Sequence, residues 1–229
     1  MKKQKICICV LTLAALLAVS ACAMAQTTPA GASQQPPLMD RQKEIALALS
    51  ACPPALADKA AVYVLEKSGY VKVRDSENGF TAIVGHLLPT SVEPQCMSAE
   101  AARTHIPPIL KIAELRAQGK SPAEIKSYMA DAFAKGVFPQ ATKLSVDYML
   151  STENLPPSNA GTGVPEHYPP HVMFFAPGVT NADLGVNGSD DGIVLVAAEG
   201  GPQAVIIVPV ATHAGMDGMQ HSSAEGGSK

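Results

Sequence analysis

Hydrophobic and polar positions in the first third of the folded chain predict a helix followed by short strands. Asp40 can cap a helix that continues to about Ser50, and Pro53 ends it. The runs AAVYVLE, YVKVR and FTAIVGHL then follow, rich in β-branched and apolar residues. They are separated by 67–69 and 75–79, which contain residues typical of hairpin turns. The pattern predicts an antiparallel β-meander after the first helix.

The middle of the chain shows the spacing of two helices. IPPILKIAELRAQ has two prolines that suit the first turn of a helix. In SPAEIKSYMADAFAKG, Ser121 is a predicted N-cap, Glu124 completes a capping box, and Gly136 ends the helix. The two segments predict a helical hairpin. The apolar stripe of the second helix consists of Ile125, Tyr128, Met129, Ala132 and Phe133.

The last third contains further strands around a long loop. TKLSVDYML is compatible with a strand or a short helix, and HVMFFAP, GIVLVAAE and QAVIIVPV read as buried strands. Residues 151–170 carry five prolines and two glycines, and a loop of this length is usually functional or mobile. Because strands and helices are segregated along the chain, we expect a single α+β domain over 39–213.

The N-terminus, MKKQKICICVLTLAALLAVSACAMAQ, has the charged, apolar and small-residue regions of a secretory signal peptide. Two processing sites overlap. Cleavage after Ala25 gives a signal peptide over 1–25, whereas a lipobox at Val19–Cys22 removes 1–21 and leaves Cys22 lipidated. A lipid on Cys22 anchors the protein to a membrane without spanning it. Residues 26–38 read as a flexible tether, and 214–229 as a disordered tail.

Charge and cysteine content agree with export. The formal net charge is −3, and loss of Lys2, Lys3 and Lys5 with the leader changes it to −6. No basic block remains, which argues against nucleic acid as a partner. Cys52 and Cys96 remain after processing, and two cysteines in an oxidising compartment predict one disulfide. A pair of free or metal-binding thiols is the alternative.

The segment EHYPPHVMFF is the first candidate for chemistry. Two prolines exclude a helix here, and an extended segment separates His167 from His171 by about 12–13 Å. A zinc ion shared by these two histidines therefore requires a sharp bend between them. Alternatively, one of them acts with a distant partner histidine. The alternative is local: His171 opens a strand and forms a hydrogen bond nearby, with Tyr168 over the loop. The candidate ligands are Glu166, His167 and His171, with His86, His105 or His213 as distant partners.

The tail segment HAGMDGMQHSS is the second candidate, because imidazole and thioether groups together can bind copper. Its ligands would be His213, Met216, Met219 and His221.

Two other segments resemble known binding motifs in composition but lack the residue spacing of those motifs. QGKSPAE lacks the earlier glycine of a phosphate loop, and TNADLGVNGSDDG departs from the carboxylate pattern of a calcium loop.

GYVKVRDSENGFTAIV and PHVMFFAPGVTNADLG resemble segments of uncharacterised secreted bacterial proteins. The resemblance implies export and implies no activity, cofactor or catalytic residue. We therefore expect a non-catalytic, exported or lipid-anchored bacterial envelope protein in the periplasm or the outer envelope. It would be a binding or structural domain with an unidentified protein or small-molecule partner. The alternative hypothesis is a periplasmic protein that binds zinc or copper, or a small hydrolase, using the 151–171 loop.

Overall fold

The computed structural model describes residues 35–155, 168–186 and 194–210. Within them the chain forms four α-helices and one eight-stranded sheet. The helices are α1 Arg41–Ser50, α2 Pro54–Ala57, α3 Ala99–Ala117 and α4 Pro122–Ala134. The strands are β1 Ala61–Glu66, β2 Gly69–Arg74, β3 Thr81–Gly85, β4 Glu93–Met97, β5 Ser145–Met149, β6 His171–Phe175, β7 Leu195–Ala197 and β8 Val205–Pro209.

The strand order in the sheet is β2-β1-β3-β4-β5-β6-β8-β7. Every pairing is antiparallel except that of β1 with β3, so the sheet is mixed. The predicted α+β class is confirmed. The three final segments were predicted as buried strands and occur as the strands β6, β7 and β8, but most of their residues are half-buried rather than buried. TKLSVDYML forms a strand rather than a helix.

The first three strands differ from the predicted meander at one step. β1 and β2 form the expected hairpin, in which Gly69 adopts a φ of 120° that favours glycine. β3, however, pairs in parallel with β1 instead of antiparallel with β2. The cause is the connection 75–80, which returns along the segment before β1. Glu77 N–H donates to Lys59 O, and Ala61 N–H donates to Phe80 O.

The predicted helical hairpin is present, but its first helix begins earlier than predicted. Pro107 and Pro108 lie inside α3 instead of in its first turn. Each proline removes one backbone donor, and burial of Ala101 and Ile106 in the core beneath α3 offsets this cost. α4 is capped by Ser121 and Glu124 as predicted. β4 was not predicted, since glutamate and proline are uncommon in strands.

The helices cover both faces of the sheet. α1 packs on the face that carries Val62 and Val64, and α3 packs on the face that carries Tyr63 and Ile83. α4 packs against α3 around Leu115, Ile125, Met129, Ala132 and Phe138. None of the helices in the described ranges is long and apolar enough to cross a bilayer.

Cys52 and Cys96 meet in the core beneath α1. Their sulfur atoms lie 2.03 Å apart and their Cα atoms 5.0 Å apart. This geometry is compatible with the predicted disulfide between Cys52 and Cys96. The bond would join the end of α1 to β4, in the middle of the sheet.

Candidate functional site

A cavity of about 300 Å³ lies between α3 and the sheet, and we call it the α3 pocket. This volume is at the lower end of the range for small-molecule sites, roughly 300–1,000 Å³. Most of its wall is apolar, and several polar side chains converge on it. Its lining residues are Gln35, Pro36, Leu65, Tyr70, Gly85, His86, Leu87, Glu93, Gln95, His105, Ile109, Ile112, Ala113, Arg116 and Phe175.

The pocket lies where β1 and β3 separate. The parallel ladder joins only Ala61 and Val62 to Thr81 and Ala82, and a bulge in the β1–β2 pairing follows Val62. A bulge increases local twist, which turns β1 away from β3. The later residues of both strands therefore need other hydrogen-bond partners.

Two side chains each satisfy one of these backbone groups. Glu44, on α1, accepts a hydrogen bond from Leu65 N–H at 2.7 Å. Tyr70, on β2, donates its hydroxyl to Val84 O at 2.5 Å. Burial raises the pKa of Glu44, and burial together with the nearby Glu44 raises the pKa of Tyr70. The tyrosine is consequently a neutral donor at physiological pH.

Arg116, in the last turn of α3, holds the loop between β3 and β4. Its guanidinium donates to His86 O at 2.6 Å and to Leu87 O at 2.7 Å. Within the loop, His86 Nδ1 contacts Ser91 O. In the neutral imidazole, a proton on Nδ1 leaves Nε2 as an acceptor. Burial lowers the pKa of His86, which favours this neutral form.

Gln95 presents the clearest unpaired polar group in the pocket. The residue is 8% exposed, and its amide has no hydrogen-bond partner among the described residues. It lies across Gly85, where a Cβ would come within 2.6 Å of Gln95 Nε2. Gln95 is not among the residues with a buried, unpaired side-chain atom, so its amide faces the open space of the pocket. The arrangement therefore leaves a donor and an acceptor available to a molecule in the pocket.

His105 contributes a flat wall. Its ring stacks on Phe175, with the ring centroids 3.6 Å apart. Burial lowers the pKa of His105 to about 4, so its ring is neutral at pH 7. Neither ring nitrogen has a hydrogen-bond partner within the described chain.

Of the described lining residues, only Glu93 and Arg116 can carry charge at neutral pH. Glu93 accepts a hydrogen bond from Leu87 N–H at 3.2 Å. Burial raises its pKa, and Ser91, the Leu87 N–H and Arg116 oppose that effect. Burial lowers the pKa of Arg116, with Tyr70 and Glu93 opposing. The two side chains thus influence each other electrostatically and are of opposite sign.

His171 occupies the position that its local interpretation predicts. It is the first residue of β6, is 4% exposed, and its Nδ1 lies 2.9 Å from Pro169 O. Tyr168 packs edge-on against it, with 4.8 Å between centroids. It does not line the α3 pocket, which His86 and His105 both line. The described residues hold no group of three or more His, Cys, Asp or Glu side chains that could bind a metal ion.

The remaining sequence-predicted site residues lie outside the described ranges. They are Cys22, Glu166, His167, His213, Met216, Met219 and His221. The zinc and copper hypotheses that depend on them stay predictions.

Sequence reasoning missed the residues that give the pocket its polar character: Tyr70, Glu93, Gln95 and Arg116. One signal was available. The polar Glu93 and Gln95 alternate with the apolar Pro94 and Cys96, which is the period of a strand with one polar face. Comparisons with protein-family models, with curated proteins and with solved structures found no match for this chain.

Proposed function

We propose that this chain is an exported bacterial envelope protein, released or lipid-anchored through Cys22, that binds a small molecule in the α3 pocket without chemical conversion. The observation that carries the proposal is the unpaired amide of Gln95, nine-tenths buried in the wall of that pocket. A hydrogen bond between a ligand and this amide would contribute about 0.5–1.5 kcal/mol to binding.

The polar groups suit binding better than catalysis. The hydroxyl of Tyr70 and the guanidinium of Arg116 are engaged with backbone carbonyls. Among the described residues that line the pocket there is no serine, cysteine, threonine or lysine nucleophile. The leader sequence and the Cys52–Cys96 geometry support export, since disulfides persist in oxidising compartments.

The first test is recovery of the full chain, with its own leader, from a bacterial host. We expect the protein in the envelope fraction, and labelled palmitate on wild type but not on Cys22→Ser if the lipobox is used. Retention of the whole protein in the cytoplasm would contradict export.

Binding is tested by native mass spectrometry of the same preparation. We expect a non-covalent small molecule on the wild type and none on Ala113→Trp, because Ala113 lines the pocket and indole would fill it. Ala130→Trp, at an exposed position on α4, is the matched control and should retain the molecule. Equal occupancy of the two variants would place binding elsewhere.

A further inference from the structure

We propose that the ligand of the α3 pocket is an uncharged amphiphile. Its single polar head, a hydroxyl or amide that both donates and accepts, would pair with Gln95. Its apolar part would lie against Phe175 and Ile109 and leave the pocket past Leu87. This inference rests on the binding function proposed above and specifies the chemistry of the ligand.

The head group follows from the hydrogen-bonding capacity left in the pocket. A primary amide offers donors and an acceptor in one plane, and the Gln95 amide lacks partners within the described chain. The neutral His86 ring presents Nε2 as an acceptor when Nδ1 donates to Ser91 O. A ligand group that can only accept hydrogen bonds, or can only donate them, would pair with the donors or with the acceptors of these side chains, but not with both.

The absence of net charge on the ligand follows from the state of Arg116 and Glu93. Two of the guanidinium nitrogens of Arg116 donate to the carbonyls of His86 and Leu87, and the carboxyl of Glu93 accepts from Leu87 N–H. The side chains of Arg116 and Glu93 carry opposite charges, and both line the α3 pocket. A charged ligand would lose its hydration without gaining an uncommitted counter-charge, which is unfavourable in a buried site.

The apolar part follows from the wall and from the rim. Leu65, Ile109, Ile112 and Phe175 form apolar surface inside the pocket. Leu87 also lines it and is 59% exposed, so apolar surface continues from the cavity to the outside. A ligand with an alkyl or ring portion longer than the cavity would cover Leu87 and remove its surface from water.

The test is a titration of the full processed chain with four probes that share one octyl-length chain. The probes are octanamide, 1-octanol, octanoate and octylammonium, and heat of binding is measured at pH 7. We expect octanamide and octanol to bind, and the two ions to bind about tenfold more weakly or worse. Equal or tighter binding of either ion would overturn the inference.

Variants separate the head-group contact from general apolar binding. Gln95→Leu keeps the volume of the side chain and removes its hydrogen bonding, so octanamide affinity should fall about tenfold. Gln42→Leu makes the same change at an exposed position on α1 and should have no effect. Gly85→Ala displaces the Gln95 amide and should weaken octanamide binding in the same direction. Melting curves confirm that each variant is folded.

The outcomes distinguish the two proposals. Unchanged octanamide binding in both Gln95→Leu and Gly85→Ala overturns the head-group contact. If Ala113→Trp still abolishes that binding, the binding function itself stands. If none of the four probes binds the wild type, the amphiphile is wrong, and native mass spectrometry decides separately whether the pocket holds another molecule.

Discussion

Glu44 and Tyr70 reach the same gap between β1 and β3 from opposite faces of the sheet. Glu44 accepts from Leu65 N–H on one strand, and Tyr70 donates to Val84 O on the other. The two strands separate after two paired residues, and each of these side chains replaces one missing ladder hydrogen bond. The α3 pocket exists because the gap is closed by side chains rather than by backbone pairing.

Replacement of Glu44 by leucine should destabilise the protein by about 1–3 kcal/mol, since it leaves the buried N–H of Leu65 without an acceptor. Glu44→Gln retains an acceptor and should lose less. The measurement is the free energy of unfolding in urea. Glu77→Leu, at an exposed position, is the control and should change it by less than about 0.5 kcal/mol. Equal stability of Glu44→Leu and wild type would show that the hydrogen bond contributes nothing.

Because of Asp147, we expect the free energy of unfolding to depend on pH. It is fully buried on β5; its Oδ1 accepts from Cys96 N–H at 3.0 Å, and its Oδ2 has no described partner. Burial raises its pKa well above 3.8, with Glu93 adding to the effect. The folded state therefore retains a proton that the unfolded state loses. The resulting stability is complete below the unfolded pKa and is lost as pH rises through the folded pKa.

Asp147→Asn should remove this contribution. Between about pH 4 and the folded pKa, the stability of the wild type relative to the variant should fall by roughly 1.4 kcal/mol per pH unit. Urea unfolding at several pH values measures the difference. The exposed Asp75→Asn serves as the reference substitution. A difference between wild type and Asp147→Asn that does not vary with pH would contradict the raised pKa.

Local signals in the sequence were sufficient for most elements. The Asp40 cap, the Ser121–Glu124 capping box and the turn at Gly69 each depend on neighbouring residues, and each occurs as predicted. The parallel pairing of β1 with β3 depends on contacts between 59–61 and 77–80, which periodicity does not encode. The early start of α3 depends on burial of Ala101 against the sheet, which outweighs the cost of two internal prolines.

The residues of the candidate site were harder to predict because their roles also depend on contacts between distant segments of the chain. Glu44 is a charged residue next to the apolar Ile45 in α1, yet its carboxyl is buried because it accepts a hydrogen bond from Leu65 N–H on β1. Arg116 and Gln95 have no local motif and acquire their roles from the packing of α3 over β4. For His171, the tertiary structure supports the local interpretation that the sequence had left open.

Arg116 should control the order of the loop between β3 and β4. Arg116→Ala removes two charge-assisted hydrogen bonds, to His86 O and Leu87 O, and should cost about 1–3 kcal/mol. Arg116→Lys keeps the charge but lacks the planar fork, so it should restore only part of the loss. Hydrogen exchange of the Leu88 and Ser91 amides measures the loop directly. Exchange no faster than in the exposed control Arg41→Ala would rule out this role.

The Cys52–Cys96 pair should stabilise the protein when oxidised. The cysteines are 44 residues apart in sequence, and closing such a loop contributes about 4 kcal/mol in the chain-entropy model. Reduction should therefore lower the melting temperature of wild type. The double variant Cys52→Ala, Cys96→Ala should melt near reduced wild type and should not respond to reductant. An identical melting temperature for oxidised and reduced wild type would exclude a stabilising bond.

We expect His171 to stabilise the fold and not to bind zinc. Its Nδ1 is engaged with Pro169 O and its ring packs against Tyr168, so His171→Ala should lower the melting temperature by removing buried contacts. The zinc and copper content per chain, measured on full-length protein purified without a histidine tag, should be the same for wild type and variant. His213→Ala, in the tail, is measured beside it so that a tail site is recognised separately. About one equivalent of zinc on wild type that is lost in His171→Ala would instead favour the metal-binding hypothesis, with His167 as the next ligand to replace.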